Sequence, residues 1–259
     1  MAPNKIVPVG DGFWNIRGSF KVGGVLDVGT QASLVQRRNG RYLLLDACNI
    51  DEPTREWIAG QTNGGEAIDA VLHLHPFHTV YARKLHALFP QVKLYGTARH
   101  RRLAPELAWQ PETTDDPSVQ QMFADDLELS VPRGVDFIPT NENLHFSSVL
   151  AFHRASKTLH VDDTLCFAKM PAVLRWWKKD FLAFHPSLAK VLERQAGAAA
   201  RFREWTKELL ERSRSLENLC AAHTSVLLRG AEGPSIEARI EAAVRSIEPK
   251  LAAHERQFG

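Results

Sequence analysis

His73-Leu74-His75-Pro76-Phe77-His78 places three imidazoles within one short stretch, directly after an apolar run at residues 67–72 that reads as a buried strand. Imidazole nitrogen is the commonest side-chain ligand for zinc and also suits iron. A strand that runs out into a loop can aim several rings at one point. A lone histidine is by default a surface or satisfied core group, and a His-x-His-x-x-His string needs further ligands from elsewhere in the chain.

Working upstream, residues 32–46 are two apolar runs separated by Arg38-Asn39-Gly40, the pattern of a β-hairpin. Asp51, Glu52 and Pro53 then start a short helix that Asn63-Gly64-Gly65 ends. Downstream, a helix at 79–88 and a strand at 92–95 complete a strand, loop, helix, strand order, which predicts layered α/β architecture. Residues 104–118 read as surface loop. Short strands at 127–131, 135–138, 148–152 and 158–161 predict a second sheet region. Residues 171–214 read as a helical insert, and 216–221 as a strand leading to His223. Ile236, Ile240, Val244 and Ile247 keep helical spacing and predict a terminal helix at about 234–257. Within the insert, Trp176, Trp177, Phe181 and Phe184 fit either a lid over a substrate or a core-facing stripe. The Lys178-Lys179 pair reads as a solvated face.

Three further candidate ligands stand at strand ends, where α/β proteins place their sites: His145, Asp162-Asp163-Thr164 and His223. Taken in order, the motifs resemble those of the metallo-β-lactamase superfamily over about residues 6–229. Tyr42-Leu43-Leu44-Leu45-Asp46 is similar to the early strand ending in an aspartate, and His73-x-His75-x-x-His78 to His-x-His-x-Asp-His. His145 stands where the third-motif histidine falls. Val161-Asp162-Asp163-Thr164-Leu165 is similar to Ser-Gly-Asp-Thr-Leu, and Ala221-Ala222-His223 to the last histidine motif. The resemblance implies one domain over residues 1–259, folded as a four-layer αββα sandwich. It further implies a first metal site from His73, His75 and His145, a second from His78 and His223, and Asp163 as the shared carboxylate and catalytic base. Asp46 is read either as orienting a ligating histidine or as a strand-end cap. Phe77 replaces the motif aspartate, so the second ion is expected to be weak or absent. Asp162 and Glu142 are the acids to inspect as substitutes, Asp162 being read as a neighbour rather than a ligand.

The rest of the 259-residue chain limits the possible functions. Its charged residues nearly cancel to +2, so nucleic acid is not the expected partner. The N-terminus lacks a signal-peptide pattern, and no stretch approaches the ~20 apolar residues of a membrane span, so a cytoplasmic protein with no membrane partner is expected. Three separated cysteines, Cys48, Cys166 and Cys220, argue against a disulfide framework. The expected function is hydrolysis of a small ester, thioester or lactone with one or two transition-metal ions, zinc first and iron or manganese next. An iron oxygenase or redox protein, and a non-catalytic metal- or ligand-binding protein, stand as alternatives.

Overall fold

The turn at Asn39-Gly40 joins Thr30–Gln36 to Tyr42–Leu45, with Gly40 at φ +80°, a conformation only glycine adopts without strain. Around this hairpin the structure, a computed structural model describing residues 3–23, 25–169, 180–223 and 225–259, builds a six-stranded sheet. Its spatial order is Lys5–Gly10, Phe13–Gly18, Thr30–Gln36, Tyr42–Leu45, Ile68–Leu72 and Lys93–Tyr95. The first four strands are antiparallel neighbours and the last three run parallel. A five-stranded sheet follows in the order Val226–Leu227, Asn218–Ala221, Thr158–Val161, Leu150–His153 and Leu127–Ser130.

Because side chains alternate across a strand, each sheet feeds two cores. Phe13, Val35, Leu43, Leu45 and Leu72 face Leu127, Leu129, Val149, Ala151 and Cys220 between the sheets. Leu34, Leu44 and Val71 point the other way and pack with Ile58, Leu85 and Phe89, beneath helices Glu52–Gln61 and Ala82–Leu88. On the far side Leu150, Phe152, Leu159 and Val161 meet Phe202, Trp205 and Leu209 of helix Ala198–Ser213, and Ile240 and Ile247 of helix Ile236–Phe258. The result is a helix, sheet, sheet, helix sandwich. Trp205 is fully buried and satisfies its indole N–H on Ser130 Oγ at 3.0 Å.

Three local expectations change. Residues 135–138 contribute only an isolated bridge from Val135 to Leu192, since Pro132 and Pro139 flank them and supply no backbone donors. The described part of the expected helical insert opens with a strand, Phe181–Phe184, antiparallel to Leu165–Ala168, before helices Leu188–Val191 and Ala198–Ser213. Phe184 stacks edge-on to Phe202 and so belongs to the core, while Trp176, Trp177, Lys178 and Lys179 lie outside the described residues. Finally, the hairpin Lys5–Gly10 with Phe13–Gly18 has no counterpart in the sequence reading, because Pro8 and Gly10 interrupt its alternation. Among the described residues no helix is long and apolar enough to cross a membrane.

Candidate metal centre

Parallel pairing brings the candidate residues to one end of the sandwich. Thr158–Val161 lies beside Asn218–Ala221 in parallel, so Asp162 and Asp163 leave one strand where His223 follows the other. Across the layer, His73 N–H donates to Tyr95 O at 2.9 Å and carries the strand ladder one residue past Leu72. The chain then turns at Pro76-Phe77, and His78 N–H closes the turn on His75 O at 3.1 Å.

His75, His78 and Asp163 offer ligand atoms that all lie within 4.8 Å of one another. His75 Nε2 is 3.3 Å and His78 Nε2 3.7 Å from Asp163 Oδ2, and His223 Nε2 is 3.0 Å from Asp163 Oδ1. Two of the rings are oriented from behind. His223 Nδ1 donates to Gly29 O at 3.0 Å, because a carbonyl can only accept, and this leaves Nε2 as the ligand atom. His78 turns Nδ1 toward Asp162 Oδ2 at 3.5 Å. His75 differs, since its Nδ1 accepts the Phe77 N–H at 3.1 Å. Loading an ion at its Nε2 therefore requires that nitrogen to give up its proton.

Charge follows the same geometry. Burial opposes ionisation of Asp163, but His75, His223 and His78 hold its carboxyl well below the usual range. Burial likewise opposes charge on His78, yet Asp162 and Asp163 outweigh it and raise the ring to about 9. Burial alone lowers His73 to about 3, and burial with the neighbouring His78 lowers His75 to about 3.

Of the first-site set, the His75 and His145 rings lie 6.3 Å apart, whereas His73 is turned to other partners. His73 remains on the strand pleat, where its ring lies 4.8 Å from that of His100 and 5.4 Å from that of Trp109, with neither nitrogen hydrogen-bonded. The His145 ring stacks on Phe77 at 4.5 Å, and its Nε2 is 3.0 Å from Glu142 O. Arg99 covers Phe77 at 4.5 Å to the ring centroid. Thus Phe77 is a platform between a guanidinium and an imidazole, and it holds His145 at the rim. Glu142 is drawn to Arg99 and Arg102, each at 3.0 Å, away from the cluster.

Asp46 orients no ligating imidazole directly. Its Oδ1 accepts from Leu74 N at 2.7 Å, and its Oδ2 pairs with His160 Nε2 at 2.9 Å. His160 belongs to no motif along the chain; the signal for it is its position on the inward side of the strand, between Leu159 and Val161, which face out. Burial and the charge of Asp162 raise Asp46 to about 6. Asp46 also sits at φ +56°, where asparagine is the best-tolerated replacement after glycine. Asp46→Asn is therefore expected to stay near wild type in melting temperature. Asp46→Ala strands the Leu74 N–H and the His160 ring, at about 1–3 kcal/mol for each buried group left unpaired. Equal losses in the two variants, measured by thermal denaturation, would contradict this role.

The donors fit a transition-metal ion. Three imidazoles and one carboxylate match the nitrogen and oxygen ligands of four-coordinate zinc, and iron accepts the same types. Moreover, His75 Nε2 is buried without a hydrogen-bond partner and faces Asp163 Oδ2 at 3.3 Å, so a polar atom turned into the cluster is left unsatisfied. Beside them opens a cavity of about 650 Å³ lined by Phe20, Val28, Phe77, Val80 and Tyr81 and by His78, Asp163 and His223 of the cluster.

No family model matches the chain, and no curated protein matches it. Solved structures do. A metallo-β-lactamase from Erythrobacter litoralis superposes with a TM-score of 0.59 at 14% identity, over 95% of this chain and 98% of that one. A metallo-β-lactamase from Hirschia baltica gives 0.58 at 14% identity, over 94% and 98%. The FIM-1 metallo-β-lactamase from Pseudomonas aeruginosa, in its mono-zinc form, gives 0.54 at 12% identity, over 96% and 97%. The chain therefore has the metallo-β-lactamase fold.

Proposed function

We propose that this protein is a metal-dependent hydrolase of a small, uncharged ester, thioester or lactone, working with one divalent ion held by His75, His78, His223 and Asp163. The observation that carries this reading is the convergence of the three imidazoles on Asp163, with His78, His223 and Asp163 lining an apolar-walled cavity and His75 buried behind them. Such an ion, when bound, lowers the pKa of a coordinated water from ~15.7 toward ~7 and polarises a carbonyl. Asp163 stays ionised under the pull of the surrounding imidazoles, so it is available to accept a hydrogen bond from that water and orient it. Phe20, Val28, Val80 and Tyr81 hold the acyl portion of the substrate and exclude bulk water. Among the described residues lining the cavity there is no Lys or Arg, and Asp27 and Asp163 are its acids, which favours uncharged over carboxylate-bearing substrates.

The test is a hydrolysis screen on protein loaded separately with zinc, iron or manganese, using paired substrates that differ only in a carboxylate. Turnover of the neutral member, lost on chelation and restored by metal, is the expected result. A fully loaded protein that hydrolyses no member of the set overturns the proposal.

A further inference from the structure

Asp162 is 1% exposed, yet its two carboxylate oxygens have unequal surroundings. Oδ1 accepts from Gln31 Nε2 at 3.1 Å. Gln31 is itself locked, because its Oε1 accepts from Arg17 Nη1 and from Asn15 Nδ2, each at 3.1 Å, and its Nε2 also donates to Val161 O at 3.0 Å. These contacts fix the carboxylate rotamer. Oδ2 has no hydrogen-bond partner and faces His78 Nδ1 at 3.5 Å. The opposite nitrogen of the same ring, Nε2, faces Asp163 Oδ2. The His78 imidazole is thus strung between two buried carboxylates, one for each nitrogen.

From this arrangement we propose that Asp162 is the positioning residue of the metal centre: it holds the Nδ1–H tautomer of His78 and supplies the negative charge that Phe77 does not. The inference rests on the reading of His78 as a metal ligand. A carboxylate behind a ligating histidine fixes the ring, makes it more basic and balances the charge of the ion. Phe77 can do none of this, because a phenyl ring has no carboxylate, and its faces are taken by His145 and Arg99. Glu142 is committed to two arginines at the surface. With Asp162 and Asp163 both ionised, one divalent cation leaves the immediate site neutral, which low-dielectric surroundings strongly favour.

Asp46, His160 and Asp162 also lie within 4.8 Å of one another, but this trio is a scaffold rather than a second ion site. His160 has both nitrogens engaged, with Ser33 Oγ at 3.0 Å and Asp46 Oδ2 at 2.9 Å, and Asp46 Oδ1 is bound to Leu74 N. Asp162 Oδ2 is the oxygen left over, and it points toward His78.

Asp162→Asn tests the proposal, since an amide N–H aimed at Nδ1 favours the opposite tautomer and removes the lone pair from Nε2. Zinc affinity is read by competition with a chromophoric chelator, and ligand geometry by the visible spectrum of cobalt-loaded protein, for wild type, Asp162→Asn and His78→Ala. Asp162→Asn is expected to weaken zinc binding about 10–100-fold. It should also alter the cobalt spectrum while the metal-free protein melts no lower than wild type. Unchanged affinity and spectrum in Asp162→Asn, with the ion lost from His78→Ala, overturn the proposal alone. Retention of the ion by His78→Ala overturns the ligand reading beneath it. Nitrogen NMR of the His78 ring in zinc-loaded wild type needs no variant to fold: a proton on Nδ1 supports the assignment, and a proton on Nε2 refutes it.

Discussion

Replacing His78, His223 or Asp163 with Ala is expected to weaken metal binding by more than about 100-fold, whereas His73→Leu and His145→Ala should bind nearly as tightly as wild type. The asymmetry follows from where the rings lie. His78 and His223 present Nε2 to Asp163, and each has its other nitrogen turned to an oxygen behind it, so removing either one takes away a pre-oriented donor. Removing Asp163 takes the carboxylate that all three imidazoles face. His73, by contrast, packs on His100 and Trp109, and leucine fills that buried space without stranding a polar group. His145 rests on the Phe77 ring with its Nε2 on the Glu142 carbonyl; its ring lies 6.3 Å from that of His75, but it does not reach Asp163 as His223 does. Elemental analysis after dialysis, together with chelator competition on all five variants, reads the result. Loss of the ion from His73→Leu or His145→Ala equal to that from His78→Ala would show that the sequence-based ligand set assembles after all.

Metal affinity should also climb with pH until about pH 9. In the metal-free protein burial disfavours the His78 cation, but Asp162 and Asp163 hold a proton on the ring up to about 9, so below that pH an incoming ion must displace it. Displacing one proton costs about tenfold in apparent affinity per pH unit, and roughly 300-fold accumulates between pH 6.5 and 9 from this ring alone. His223, whose pKa burial lowers but the Asp163 hydrogen bond raises further, acts in the same direction. The stability of the metal-free protein moves oppositely. With the folded-state pKa of His78 raised above 6.5, its stabilising contribution is complete below about pH 6.5 and is lost as pH rises through about 9. Chelated protein should therefore lose melting temperature over that window, and zinc should recover most of it at the alkaline end. A zinc affinity that does not change between pH 6.5 and 9 would mean that His78 is not a cation in the metal-free site.

Much of this protein is determined by its sequence alone. The Asn39-Gly40 hairpin, the apolar run entering His73-x-His75-x-x-His78 and the helical spacing of Ile236, Ile240 and Ile247 each depend on a few adjacent residues, and local periodicity decides which face each side chain takes. The same logic places Asp163 and His223 at the ends of strands, and parallel pairing then makes those ends neighbours. Which rings turn inward is a different matter, decided by residues remote in the chain. His73 and His75 are two apart and would share a face on a continuing strand, but the ladder bond to Tyr95 and the wall of Trp109 and His100 keep His73 back, while the turn at Pro76 releases His75. His145 is diverted by a phenyl ring that Arg99 covers from its own helix. Asp162 gains its role only because Gln31, 131 residues earlier, reaches across the sandwich to fix one of its oxygens. Spacing along the chain places such side chains near the site, but the direction of each donor atom comes from packing and hydrogen bonds between segments that meet only when the two sheets close on each other.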